Sequence, residues 1–165
     1  MKILMLLLNH GFPPDERVWQ EIISLKEGGH ELKVITPLRP KKTKKEIIQG
    51  VEVIRLKRYP IYLFERVVRR EALKLHRRWP FEAIHKHDLP MTLRTCRYLK
   101  NKLGVRFVWD LHENWTGMME AAYGDSASLY VKRVIAGLKR EEKKCLGLAD
   151  RVIVVAREHL SRLEK

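Results

Sequence analysis

The sequence predicts a three-layer α/β/α domain built on a mainly parallel sheet, and three observations carry that prediction. Strand-length apolar runs recur along the chain, segments with helical spacing separate them, and turn residues stand where a helix must stop and a new strand begin. A length of 165 residues, 45% of them hydrophobic, fits one domain with a real core and leaves no room for a second of similar size.

The first unit is the clearest. KILMLLLN is a continuous apolar strand, HGFPPDE a turn-rich loop, and RVWQEIISLKEGGHELKVITP a helix, a stop and a second strand. Val18, Ile22, Ile23 and Leu25 give the helix its spacing, and Gly28 with Gly29 supplies a left-handed C-cap. Pro13 and Pro14 stiffen the loop and Asp15 caps the helix, whose unpaired N–H groups then face the carboxyl end of the first strand. Doubly wound sheets bind ligands there. Further strands are expected at residues 32–35, 51–56, 81–85, 105–111 and 151–155, the fourth being the weakest. That makes about six, with the first, residues 3–9, central. Leu93, Tyr98 and Leu99 mark a later helix, and Val131, Val134, Ile135 and Leu138 another.

The formal charge is +14, from 34 Lys and Arg against 20 Asp and Glu, so the class of partner is anionic: phosphate, nucleic acid or an anionic membrane. Residues 39–79 hold 14 of the basic and 4 of the acidic residues. Within them a helix over 61–79 places Phe64, Val67, Val68, Ala72, Leu75 and Trp79 on one face and Arg66, Arg69, Arg70, Lys74 and Arg77 on the other. Such a basic face is either simply solvated or a membrane-surface element, with Arg66, Arg69, Arg70 and Lys74 against anionic lipid. Cys96 and Cys145 have neither disulfide nor zinc spacing and read as ordinary buried thiols, so no metal site is expected. The apolar run 3–8 is too short for a signal peptide or a membrane span, which suggests a cytosolic chain.

Three polar clusters fall at predicted strand ends: Asn9-His10-Gly11-Phe12, His85-Lys86-His87-Asp88 and Asp110-Leu111-His112-Glu113. A lone histidine after a strand is more often a capping or core side chain. Three clusters on one edge favour a crevice in which histidines donate to a hydroxyl or phosphate, or exchange a proton. Gly11 is either a turn glycine or a point of close backbone approach, and no GxGxxG series accompanies it. Trp109 and Trp115 read as packing residues.

Taken together, HGFPPDERVWQEIISLKEGGHELKVITP, FEAIHKHDLP, VRFVWDLHE and EKKCLGLADRVIVVA resemble the N-terminal domain of the GT-B glycosyltransferases of family 4, over essentially the whole chain. This retaining group includes many bacterial and archaeal cell-envelope and glycolipid transferases. The resemblance implies that residues 1–165 are one Rossmann-like half of a GT-B fold, the acceptor side. A C-terminal domain, absent from this sequence, would hold a nucleotide diphosphate sugar. Transfer would need neither a metal ion nor a further cofactor, and the isolated chain is expected to be inactive. By position, His112 matches the active-site histidine that contacts the transferred sugar, and Gly11 matches the loop near the donor diphosphate. His87 and Asp88 match the strand end facing acceptor and cleft, and His10 and Glu113 join them as substrate-binding candidates.

The sequence also departs from the family. The loop HGFPPDE lacks the Gly-Gly-x-x-Gly of many members, Ala156 stands where many carry Ser, and the paired glutamates of the donor domain are missing. The resemblance suggests a sugar or lipid-linked acceptor and a cytoplasmic protein peripheral on the inner face of the membrane. The competing readings are a sugar-nucleotide epimerase half of the same architecture and a basic nucleic-acid-binding module. No RRM, helix-turn-helix, KH or zinc pattern supports the latter, so no nucleic-acid partner is expected.

Overall fold

The fold is taken from a computed structural model, which describes residues 1–8, 16–38, 44–57, 60–87, 92–112, 114–123 and 128–155. The strands are β1 (Lys2–Leu6), β2 (Glu31–Pro37), β3 (Lys45–Ile48), β4 (Val51–Leu56), β5 (Ala83–His87), β6 (Arg106–Leu111) and β7 (Arg151–Val154). The helices are α1 (Glu16–Glu27), α2 (Ile61–Arg78), α3 (Leu93–Leu103), α4 (Trp115–Tyr123) and α5 (Leu129–Leu148). One sheet runs in the order β3-β4-β2-β1-β5-β6-β7, parallel at every pairing except β3 with β4. The fold is the expected mainly parallel, Rossmann-like α/β arrangement. β1 is central, with β2 on one side and β5 on the other, so the strand order reverses at β1 and β5. In open α/β sheets that switch point opens a crevice at the carboxyl ends of the strands.

Alternation along each strand divides the core in two. Ile3, Met5, Val34 and Val53 face α1, where Val18 and Ile22 cover them. Burying each of those two helix side chains is worth about 1.5–3 kcal/mol. Leu4, Leu6, Ile84 and Phe107 face the other way, onto Phe64, Val68 and Leu75 of α2, Leu99 of α3 and Cys145 of α5. The apolar face read for α2 is therefore spent on the sheet. α1 ends as expected: Gly29 adopts φ 77, with His30 N–H donating to Leu25 O at 3.0 Å and Gly29 N–H to Lys26 O at 2.9 Å. This Schellman pairing satisfies carbonyls that the helix end would otherwise leave open.

Four elements differ from the sequence reading. β1 covers Lys2–Leu6 rather than 3–9, because its register with β2 and β5 runs only as far as Leu6. β3 was not expected, because KEII is short and sits in the charged stretch with Ile47 76% exposed. It forms because Gln49 and Gly50 both take positive φ, 46 and 80, making a tight hairpin turn into β4. Glu46 then pairs with Arg55, which is buried. The fourth parallel strand covers Ala83–His87 rather than 81–85, so His85, Lys86 and His87 lie within it rather than after it. α4 was not anticipated either. It starts at Asn114, whose side chain accepts the Gly117 N–H at 2.9 Å.

Cys96 and Cys145 are free and buried, as read, and burial pushes the thiols up to about 12 and about 11 respectively. No helix among the described residues is long and apolar enough to cross a membrane.

Candidate functional site

The titratable side chains gather where the strand order reverses. His87 closes β5 and is directly paired with Asp110 of β6, so the two share a face of the sheet, the face that α1 covers. The two-residue period puts His85 on that face as well and brings His112, the first residue after β6, to the same edge. Glu21 reaches the group from the second turn of α1.

His87, Asp110 and His112 are buried, at 3%, 0% and 4% exposure. His87 Nδ1 lies 2.9 Å from His112 Nε2, so one ring donates and the other accepts. Asp110 Oδ2 is 3.3 Å from His112 Nε2, 3.5 Å from His87 Nδ1 and 3.5 Å from His85 Nε2. Glu21 Oε2 lies 3.7 Å from His87 Nε2, on the far side of that ring. The rings of His85 and His87 stack at 4.5 Å and those of His87 and His112 at 5.1 Å. Burial drives the His87 pKa well below the ordinary histidine value, and the neighbouring His85, His112, Lys86 and Arg17 push it further down. His87 is thus neutral at neutral pH, keeping one N–H and one lone pair.

A neutral imidazole beside a carboxylate and a second imidazole can bind a hydroxyl in either sense and can move a proton between them. Glu21, His87, Asp110 and His112 also each offer one metal-ligating atom, all within 4.8 Å of one another. His10, Gly11, Asp88 and Glu113, the remaining site candidates, lie outside the described residues.

The profile of glycosyltransferase family 4 matches residues 16–165. The chain belongs to glycosyltransferase family 4. No curated protein gives a match. Among solved structures, a sucrose-phosphate synthase from Thermosynechococcus elongatus is similar with a TM-score of 0.66 at 15% identity, over 100% of this chain and 82% of that chain. At that identity the likeness concerns the fold, one Rossmann-like half of a GT-B architecture. Family membership makes this a glycosyltransferase domain, the first of the readings made from the sequence.

Within this family 4 domain, Asp110 and His85 were seen as cluster members but not taken as site residues, and Glu21 was missed. A signal existed for the first two. His85-x-His87 and Asp110-x-His112 repeat polar residues at a two-residue period in otherwise apolar strands, which sends all four side chains to one face. Glu21 carries no such mark, since one more charge on an amphipathic helix is ordinary. Trp109 is fully buried in the opposite core, as its packing role requires.

The basic surface of the family 4 domain is wider than α2. Arg66, Arg70 and Lys74 are exposed, with Lys74 Nζ 2.8 Å from Glu71. Arg69 is half-buried, its guanidinium 4.8 Å from the centre of the Tyr98 ring. Arg69, Arg94, Arg97, Tyr98, Asn101 and Lys102 line an open groove of about 450 Å³ between α2 and α3. Arg94, Arg97 and Lys102 fall outside the segment 39–79 and join it only through the packing of α3 on α2.

Proposed function

We propose that this family 4 domain is the acceptor-side half of a retaining glycosyltransferase whose donor, a nucleotide diphosphate sugar, is held by a following C-terminal domain. The acceptor is a membrane-associated glycolipid or an envelope polysaccharide precursor, and the chemistry uses neither a metal ion nor another cofactor. The convergence of His87, Asp110 and His112 at the switch point of the sheet carries this reading. There, His112 contacts the transferred sugar, oriented by Asp110 and by its bond to His87. His87 and Asp88 are assigned to acceptor binding, Gly11 to the donor diphosphate, and His10 and Glu113 to substrate binding, the last four by sequence position alone. The basic surface around Arg66, Arg69, Arg70 and Lys74 holds the enzyme against an anionic membrane on the cytoplasmic side.

The test uses a chain that carries the donor-binding domain. His112→Ala is expected to lower kcat by about a hundredfold, with a loss of melting temperature limited to what the broken His87 contact costs, because the side chain lies in the polar edge cluster and in neither apolar core. Full retained activity removes His112 from the site. The 165-residue chain alone is expected to transfer no sugar and to bind sugar nucleotides poorly, since half a cleft supplies few contacts. Micromolar binding of a nucleotide sugar to it, measured by calorimetry, contradicts the division of labour.

A further inference from the structure

The groove between α2 and α3 lies on the face of the sheet opposite the one that α1 and the histidine cluster occupy, and four cations line it. We propose that this groove is a recognition site for a terminal phosphate, a phosphomonoester dianion such as the headgroup of phosphatidic acid, held by Arg69, Arg94, Arg97 and Lys102.

Spacing along α3 makes one wall of the groove. Arg94, then Arg97 and Tyr98, then Asn101 and Lys102 recur three and four residues apart, which puts them on one side of the helix, and Arg69 meets them from α2. Arg69 is already in position. It is half-buried and its guanidinium stands 4.8 Å from the centre of the Tyr98 ring, so it loses little side-chain freedom when an anion arrives. A guanidinium fork meets two phosphate oxygens at once, and Lys102 adds a point charge. The groove holds about 450 Å³, and because it is open it suits a group carried on something larger.

A second observation is how this charge is left. Lys33, Lys74, Arg78, Lys100, Lys139 and Lys144 each lie within 2.8 Å of a carboxylate oxygen. Arg69, Arg94, Arg97 and Lys102 have no ion-pair partner among the described residues. Glu65, the acid whose field Arg69 and Arg94 share, accepts the Arg94 backbone N–H at the start of α3. Cations gathered without partners repel one another, and a bound anion removes that cost. The charge also selects the ligand. A phosphomonoester carries about −1.5 to −2 at neutral pH and offers three acceptor oxygens to several guanidinium forks, whereas a phosphodiester has a single charge and two free oxygens. The inference sharpens the membrane attachment proposed above from general attraction to headgroup choice, and for a lipid as the source of the phosphate it rests on that reading.

The experiment compares sedimentation of this chain with phosphatidylcholine vesicles containing either phosphatidic acid or phosphatidylglycerol, matched in surface potential, and adds calorimetry with free glycerol 3-phosphate. Diffuse attraction treats the two matched vesicle types alike. The groove should instead favour phosphatidic acid by about tenfold. The readout is that ratio, because removing any two charges weakens binding to both lipids. Arg94→Gln combined with Arg97→Gln should bring the ratio to about one, whereas Lys132→Gln combined with Arg133→Gln, an equal loss of charge at exposed positions of α5, should preserve it. All four substitutions are at exposed positions, so the fold is expected to survive them, and circular dichroism checks it. Submillimolar binding of glycerol 3-phosphate that is lost with the Arg94 and Arg97 pair, without a vesicle preference, supports the same site with a soluble phosphate as its ligand. Equal binding of the two lipids with no binding of glycerol 3-phosphate overturns the proposal and leaves general membrane attachment standing. Tighter binding of an RNA oligonucleotide, lost with the same pair, overturns it as well. Binding of glycerol 3-phosphate with no vesicle binding at all keeps the site and removes the membrane attachment, so the two failures are distinguishable.

Discussion

Cys96 of α3 and Cys145 of α5 are buried in the core that α2 also covers, and burial pushes their thiols up to about 12 and about 11, which keeps both protonated. The thiolate is the reactive form, so native protein at pH 8 should resist iodoacetamide while denatured protein takes up two labels. Rapid native labelling, followed by mass spectrometry, would show the core to be open there. His76 supplies the pH-dependent counterpart. Its ring packs edge-on to Phe81 at 4.6 Å, its Nδ1 has no hydrogen-bond partner among the described residues, and burial lowers its pKa. An unfolded chain therefore takes up this proton first as pH falls. The contribution is complete above about pH 6.5 and is lost as pH drops toward the folded value. Between pH 7 and pH 5 the melting temperature of His76→Phe should fall less than that of the wild type; parallel curves would exclude His76 as a source of acid sensitivity. Residues of this kind are legible only in part. His87 and His112 could be named because they follow apolar runs, but the value of Asp110 depends on which nitrogen atoms face it across two strands, and sequence spacing does not contain that.

Among the elements, the helices of the sheet's covered faces were readable because each repeats apolar residues along one side, β1 because it is a continuous apolar run, and β2 and β4 because strand-length segments rich in Val, Ile and Leu stand between turn residues. β5 was misplaced by two residues for the opposite reason: His85, Lys86 and His87 are polar and yet inside the strand. Local pattern fails at the carboxyl end of this strand because the site is built there. β3 depends on a hairpin turn and a cross-strand ion pair, neither of which hydropathy registers. Glycines in the helices yield a paired prediction. A Cβ at Gly137 of α5 would meet nothing within 4 Å, whereas one at Gly117 of α4 would collide with the Asn114 side chain that caps the helix. Gly137→Ala should stabilise the fold by about 1 kcal/mol through helix propensity. Gly117→Ala should give no such gain, because losing the cap costs about as much. Urea midpoints compare the two directly, and equal gains would mean that the Asn114 cap is not formed in solution.

At the scale of the whole molecule, the net charge of +14 is not spread evenly, and packing decides which part of it is available. The apolar side of α2 is buried against the sheet, so attachment to a bilayer must come from charge rather than from inserted Phe64 or Trp79. Lys74 is already paired with Glu71, and Arg69 lies over Tyr98, so Arg66 and Arg70 are the more available of the four residues read from the helix. Arg94, Arg97 and Lys102 extend the same surface across the groove to α3. Each basic residue held near an anionic leaflet contributes about 1 kcal/mol, and at physiological salt the attraction decays within about 8 Å. Sedimentation with vesicles should therefore show binding to anionic but not to neutral lipid, weakened by added salt. Changing Arg66, Arg69, Arg70 and Lys74 together to Gln should remove most of it, with Arg66→Gln and Arg70→Gln alone giving the larger share of the loss. Equal partition onto both vesicle types, or onto neither, would make the basic face a solvated surface and leave the acceptor to be found in solution.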